Sequence, residues 1–338
     1  MSIASPPARR GRPRKYEHAA ALDAALTTFW SKGFAGTSLD DLASAMGMNR
    51  PSIYAAFGNK DALYAAAVER YVQTVGRTYL EPLHRGGTLA EDLDFWAAAG
   101  IDHVGLSLRK LEQAGLDEAA TRIEDAGLRV SDIVEVGWWD LTDPATWPRQ
   151  QARLVAAADV AARVGGCLVL TTGPALPMGW DDAVAALDLA IDPVRTHADA
   201  VGVPITIEPT GALRIDLSFC TTVRDGVDLA RALGVGLCLE CNSHFAERDL
   251  VRTLAAASDV LAHVQVSDFH VGSLTSPDRA VPGDGDIPFP ELLGAISDLG
   301  YTGAYEIEMV GPRIEAEGYA AAITRAVAYL DGVLGGSA

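Results

Sequence analysis

The sequence predicts a small all-α helix-turn-helix domain followed by an α/β (β/α)8 TIM barrel, and three observations predict it. The 338-residue chain is longer than one ordinary domain but suits a small domain plus a barrel of roughly 250 residues. Its first 76 residues carry helical periodicity punctuated by glycines and capping residues. The remainder alternates short β-branched runs with amphipathic helices at about 30-residue spacing, the pattern of successive βα units on a parallel sheet.

Composition narrows the class. Hydrophobic residues make up 49 % of the chain, enough for a large core. No run of about 18 apolar residues occurs, so no membrane span is expected, and no apolar segment follows the basic N-terminus as a secretory signal requires. Four cysteines are few for this length and point to a reduced, cytoplasmic protein. The net charge of −18 is uneven: residues 1–76 hold nine Lys/Arg against six Asp/Glu, and the remainder 18 against 39. A basic head on an acidic body confines any contact with a polyanion to the head.

Residues 1–15 read as a flexible basic arm, 16–76 as the helical domain and 77–338 as the barrel. The arm contains Arg9, Arg10, Arg12, Arg14 and Lys15; Arg12 and Arg14 are candidates for phosphates or the minor groove. Leu22, Ala25, Leu26, Phe29 and Trp30 share a helical face, and Gly33 ends that helix. Ser38 begins a capping box completed by Asp41, opening a short helix that stops at Gly47. Asn49 caps a third helix beginning Arg50-Pro51, and Asn59 a fourth running from Lys60 to about Val75.

Two short helices with a glycine turn between them form a helix-turn-helix. The strings Phe29-Trp30-Ser31-Lys32-Gly33-Phe34, Thr37-Ser38-Leu39-Asp40-Asp41-Leu42-Ala43 and Ile53-Tyr54-Ala55-Ala56-Phe57-Gly58-Asn59-Lys60-Asp61-Ala62-Leu63 resemble the DNA-binding domain of TetR-type repressors. The resemblance implies that the helix from Arg50 enters the major groove. Arg50 and Ser52 would then reach bases or phosphates, and Tyr54 and Lys60 would hold phosphates. TetR-type proteins continue into an all-helical ligand-binding and dimerisation domain, which the barrel pattern replaces here. A two-fold operator requires a dimer, so the barrel or the fourth helix is expected to self-associate.

In the body, strands are expected at 78–83, 103–107, 129–134, 167–171, 204–208, 235–240, 263–267 and 304–309. Chemistry in such barrels sits at the C-terminal strand ends. Glu208, Glu240 and Glu308 each end an apolar run. Several like charges in a partly desolvated mouth demand a cation, and oxygen-rich ligation suits Mn²⁺ or Mg²⁺, with Co²⁺ possible. Cys238 and Cys241 have CxxC spacing, but three positions along a strand they face opposite sides, so neither redox nor zinc use is expected.

Ile207-Glu208-Pro209, Val266-Ser267-Asp268, Arg279-Ala280-Val281-Pro282-Gly283-Asp284-Gly285-Asp286-Ile287 and Gly300-Tyr301-Thr302-Gly303 with Glu308 resemble the xylose-isomerase-like barrel superfamily. The resemblance implies one divalent ion held by Glu208, Glu240, Gln265 and Glu308. Gln265 stands where that family has histidine, with His270 or Asp268 as compensating groups, and His244 follows Glu240 by four residues rather than three. The multi-histidine set of the endonuclease branch is not present, which argues against DNA repair. Glu208 and Glu308 are the implied acid/base pair, moving a proton at carbon next to a carbonyl. His244, Asp268, His270, Arg279 and Trp138 are the expected substrate contacts. The expected activity is that of a sugar phosphate isomerase, epimerase or dehydratase acting on or sensing a sugar- or polyol-type carbonyl metabolite. The alternative is a transcriptional regulator whose barrel binds ligand without turnover.

Overall fold

The computed structural model describes residues 18–71, 87–135, 139–273 and 277–335. The chain divides into two compact units, Met1–Gly86 and Gly87–Ala338.

The first unit contains α1 (His18–Gly36), α2 (Leu39–Met46), α3 (Arg50–Phe57) and α4 (Lys60–Tyr71). Gly33 leaves helical geometry at φ 69°, ψ 164°, so the expected break falls there although one more turn follows. Ser38 Oγ accepts from Asp41 N at 3.1 Å while Asp41 Oδ2 accepts from Ser38 N at 2.8 Å, closing the expected capping box. Gly47 ends α2 in the left-handed region at φ 61°, where a β-carbon is disfavoured. Asn49 Oδ1 accepts from Ser52 N at 2.9 Å and Asn59 Oδ1 from Ala62 N at 2.7 Å. Ala25, Phe29, Leu42, Ile53 and Leu63 form one buried cluster that ties the four helices together. The expected continuation of α4 to Val75 lies outside the described residues.

The second unit opens with α5 (Leu89–Ala99) and continues with β1 (His103–Ser107), α6 (Leu108–Ala114), α7 (Leu116–Ala126), β2 (Arg129–Glu135), α8 (Trp147–Val164), β3 (Cys167–Leu170), α9 (Trp180–Val201) and β4 (Ile205–Ile207). Then follow α10 (Val223–Leu233), β5 (Gly236–Glu240), α11 (Cys241–His244), α12 (Leu250–Ala255), β6 (Leu261–Val266), α13 (Phe289–Asp298), β7 (Tyr305–Ile307), α14 (Pro312–Glu317) and α15 (Tyr319–Gly335). The strands pair in parallel in sequence order, β1 to β7, as a nearly closed barrel. Eight strands were expected. Seven lie among the described residues, and the candidate at 78–83 falls outside them, as does Trp138.

Strand alternation sorts side chains between the two sides of the sheet. Ile133, Leu168, Leu170, Ile205 and Ile207 pack outward into one helix-covered cluster, and Leu237, Leu239, Val264 and Val266 into another. The alternate positions face inward, where Cys167, Val169 and Cys238 form a small separate cluster with Val134.

Candidate functional site

The inward parity puts Glu208, Glu240 and Glu308 at the barrel mouth, each on or just beyond the end of its strand. Arg279 enters from the loop after β6. Its Nη1 donates to Glu308 Oε2 at 2.6 Å, to Glu240 Oε1 at 3.1 Å, to Ser267 Oγ at 3.2 Å and to the Glu308 main-chain carbonyl at 3.0 Å. Burial opposes the guanidinium's charge, but Glu240, Glu308 and Glu208 outweigh it and hold the group firmly protonated. Expected as a substrate contact, Arg279 therefore supplies the positive charge in the middle of the acidic set.

Glu240 is fully buried and also caps α11, accepting from Asn242 N at 3.1 Å and Ser243 N at 2.7 Å. Glu208 is 9 % exposed, and among the described residues no donor reaches its carboxylate. Burial first, then Glu308 and Glu240, push its proton affinity well above the ordinary carboxylate range. Glu308 is raised by burial too, with Arg279 pulling the other way and Glu240 adding to the rise. A desolvated carboxylate with raised proton affinity is suited to accepting and returning a proton.

The remaining expected residues are placed as follows. Gln265 is buried below the mouth, its Nε2 donating to Glu306 Oε2 at 2.9 Å and its Oε1 accepting from Cys238 Sγ at 3.4 Å. His244 is buried, with Nε2 at 2.9 Å from the Pro209 carbonyl and Nδ1 at 2.7 Å from Glu247 Oε1. Both partners accept, so satisfying both requires the imidazolium. Burial works against that charge, and the Glu247 carboxylate with the Pro209 carbonyl raise the group above its usual value. Asp268 is buried and filled by backbone donors: Phe269 N at 2.8 Å, Gly283 N at 2.9 Å, Gly285 N at 3.0 Å and Ile287 N at 3.0 Å. A β-carbon at Gly285 would run into that carboxylate and the Phe269 carbonyl, which explains the second glycine of the Pro-Gly-Asp-Gly-Asp turn. His270 is half-buried beside that turn. The four cysteines are free and buried, and burial raises all four thiols, which leaves them poor nucleophiles.

Sequence reasoning missed a second cluster. Asp132 on β2, His263 on β6 and Glu306 on β7 converge inside the barrel, each with one ligand-type atom within 4.8 Å of the others. Burial and Glu306 push Asp132 up to about 8, with His263 acting against them. The available signal was parity. His263 lies two positions before Gln265 and Glu306 two before Glu308, so both share the inward side.

On the head, Arg50 and Tyr54 are exposed on α3, with Arg50 Nε donating to Asp40 Oδ1 at 2.8 Å. Ser52 is half-buried. Lys60 Nζ donates to the Phe34 carbonyl at 2.6 Å and sits 4.3 Å from that ring's centroid. Arg12 and Arg14 lie outside the described residues.

Residues 93–329 match the model of the xylose isomerase-like TIM barrel, and the chain belongs to that family. Residues 21–67 match the model of bacterial regulatory proteins of the tetR family, so the chain joins a TetR-type DNA-binding domain to that barrel. It is similar to the HTH-type transcriptional repressor ComR of Escherichia coli K12, 46 % identical over 63 residues, 19 % of this chain and 30 % of the repressor. It is also similar to an inosose isomerase of Halalkalibacterium halodurans, 29 % identical over 122 residues, 34 % of this chain and 42 % of that enzyme. The chain thus spans less than half the length of either curated relative. Among solved structures, protein SMc04130 of Sinorhizobium meliloti 1021 superposes with a TM-score of 0.68 at 24 % identity, over 75 % of this chain and 96 % of that one. An IolI protein with a binding zinc atom superposes with a TM-score of 0.64 at 17 % identity, over 75 % and 95 %. Among the described residues no helix is long and apolar enough to cross a membrane.

Proposed function

We propose that this chain is a DNA-binding regulator with an isomerase- or epimerase-type barrel that acts on or senses a sugar- or polyol-type carbonyl metabolite. The observation that carries the reading is the meeting of Glu208, Glu240 and Glu308 around Arg279 at the C-terminal strand ends. Isomerisation or epimerisation requires a proton to leave carbon beside a carbonyl and return elsewhere or on the other face. Glu208, buried and with no donor to its carboxylate among the described residues, takes that proton. Glu308 is the second carboxylate, returning a proton while Arg279 holds a substrate oxygen. The carboxylates supply oxygen donors of the type a hard divalent cation takes, but among the described residues their ligand atoms do not converge as those of Asp132, His263 and Glu306 do, and Arg279 stands between Glu240 and Glu308. Mn²⁺ or Mg²⁺ (Co²⁺ being the third choice) held by Glu208, Glu240, Glu308 and the Gln265 oxygen would polarise the substrate carbonyl.

Binding without turnover is the second reading, and two observations favour it. Arg279 already neutralises Glu240 and Glu308, and the Gln265 amide is engaged with Glu306 and Cys238. In both readings residues 1–76 contact DNA, the protein works as a cytoplasmic homodimer, and ligand in the barrel changes operator affinity. The deciding measurement incubates the full chain with Mn²⁺ in D2O and a panel of ketoses, inososes and their phosphates. Deuterium uptake beside the carbonyl, abolished by Glu208→Gln, is the result expected of an enzyme. No uptake, with the same sugars shifting affinity for an operator obtained by in-vitro selection, establishes the sensor. Neither effect from any compound overturns the assignment.

A further inference from the structure

Asp132, His263 and Glu306 lie one inward position below the mouth and have no part in the proton transfer above. We propose that these three side chains form a second, buried divalent-metal site of the zinc class, separate from the oxygen-rich set around Arg279.

Geometry comes first. His263 Nε2 is 3.0 Å from Glu306 Oε2 and 3.6 Å from Asp132 Oδ1. Ligand bonds of about 2.1 Å in a tetrahedron put neighbouring donors about 3.4 Å apart, so the two separations bracket the required edge without backbone movement. A second observation points the same way. Asp132 is wholly buried, and among the described residues its Oδ2 has no hydrogen-bond partner. Unpaired carboxylate oxygens in a barrel interior are costly, and a cation removes that cost. Gly105 on β1 pairs in register with Asp132, and a β-carbon there would run into Glu306 Oε1 and Asp132 Oδ1. The glycine therefore preserves the space that the cluster occupies.

Charge and donor chemistry select the ion. Two carboxylates and a neutral imidazole sum to two negative charges, and the other donors to the carboxylates are the neutral Ser131 hydroxyl, 2.6 Å from Asp132 Oδ1, and the Gln265 amide. A divalent ion balances that charge. One imidazole nitrogen beside two carboxylate oxygens suits Zn²⁺ or Co²⁺ better than Mg²⁺, which favours all-oxygen octahedra. Binding through Nε2 replaces the hydrogen bond to Glu306 and leaves the proton on Nδ1. A proton shared within the cluster is the competing occupant.

The test uses the full chain carrying E208Q and E308Q, which weakens the mouth as a metal site and leaves the interior cluster intact. After chelator treatment and dialysis against Zn²⁺, the expected result is one retained ion per chain with one imidazole among its neighbours by X-ray absorption. Adding His263→Gln, or the isosteric Asp132→Asn should the first variant fail to fold, is expected to release the ion while far-ultraviolet circular dichroism is unchanged. A chain that retains no zinc overturns the proposal. So does an oxygen-only shell, or an ion that survives both substitutions.

Discussion

Asp268 was expected to touch substrate, yet its two oxygens accept four backbone N–H groups and organise the loop after β6. Hydrogen bonds to a charged group contribute about 1.5–3 kcal/mol each, and leaving several buried donors unpaired adds to the loss. Asp268→Ala is therefore expected to destabilise the barrel by on the order of 3–5 kcal/mol, read from the denaturant midpoint. A change within experimental error would mean that the loop holds itself. His244 gives a pH signature. Its folded value is raised above 6.5 by Glu247 and the Pro209 carbonyl. The stability it contributes is complete below 6.5 and is lost as pH rises through the folded value. As pH rises above 6.5 the melting temperature of the native chain should fall more steeply than that of His244→Gln. Parallel profiles would show that the imidazolium contributes nothing.

At the level of elements, the head is assembled from local chemistry. The capping box at α2 is worth about 1 kcal/mol by analogy with other N-caps, so Ser38→Ala should lower the stability of the head by that amount in an unfolding curve followed at residues of the first unit. In the barrel the sensitive element is β1. Its Gly105 stands where the carboxylates of Asp132 and Glu306 project, so a β-carbon there forces those side chains out of the cluster. Gly105→Ala should cost about 1–3 kcal/mol, the range for overpacking a filled interior. The barrel's melting temperature checks it, and a gain in stability would contradict the packing described.

Across the whole molecule, charge separates the two units. The first 76 positions are net basic and the remainder is net acidic, so affinity for DNA should reside in the head and fall steeply with salt as counterions rebind. Arg50→Ala, on the exposed face of α3, is expected to weaken operator binding by about tenfold or more, the range for a lost base or phosphate contact. Fluorescence anisotropy at two salt concentrations reads it. Unchanged affinity would remove α3 from the interface.

Helix caps, glycine stops and the period-2 alternation of the strands are properties of a few consecutive residues. That is why the capping box at Ser38, the stop at Gly47 and the strands leading to Glu208, Glu240 and Glu308 are all legible in the amino-acid sequence. The family resemblance implies a place near the mouth for Gln265 and Arg279. Neither local rules nor that resemblance says that Gln265 turns to Glu306, or that Arg279 lies among the carboxylates instead of facing solvent. Asp132 and His263 are 131 positions apart and meet because the sheet curls round to face itself. Facing is dictated by local backbone geometry, whereas partnership between charges depends on distance through space. That distance exists only once the barrel has curled.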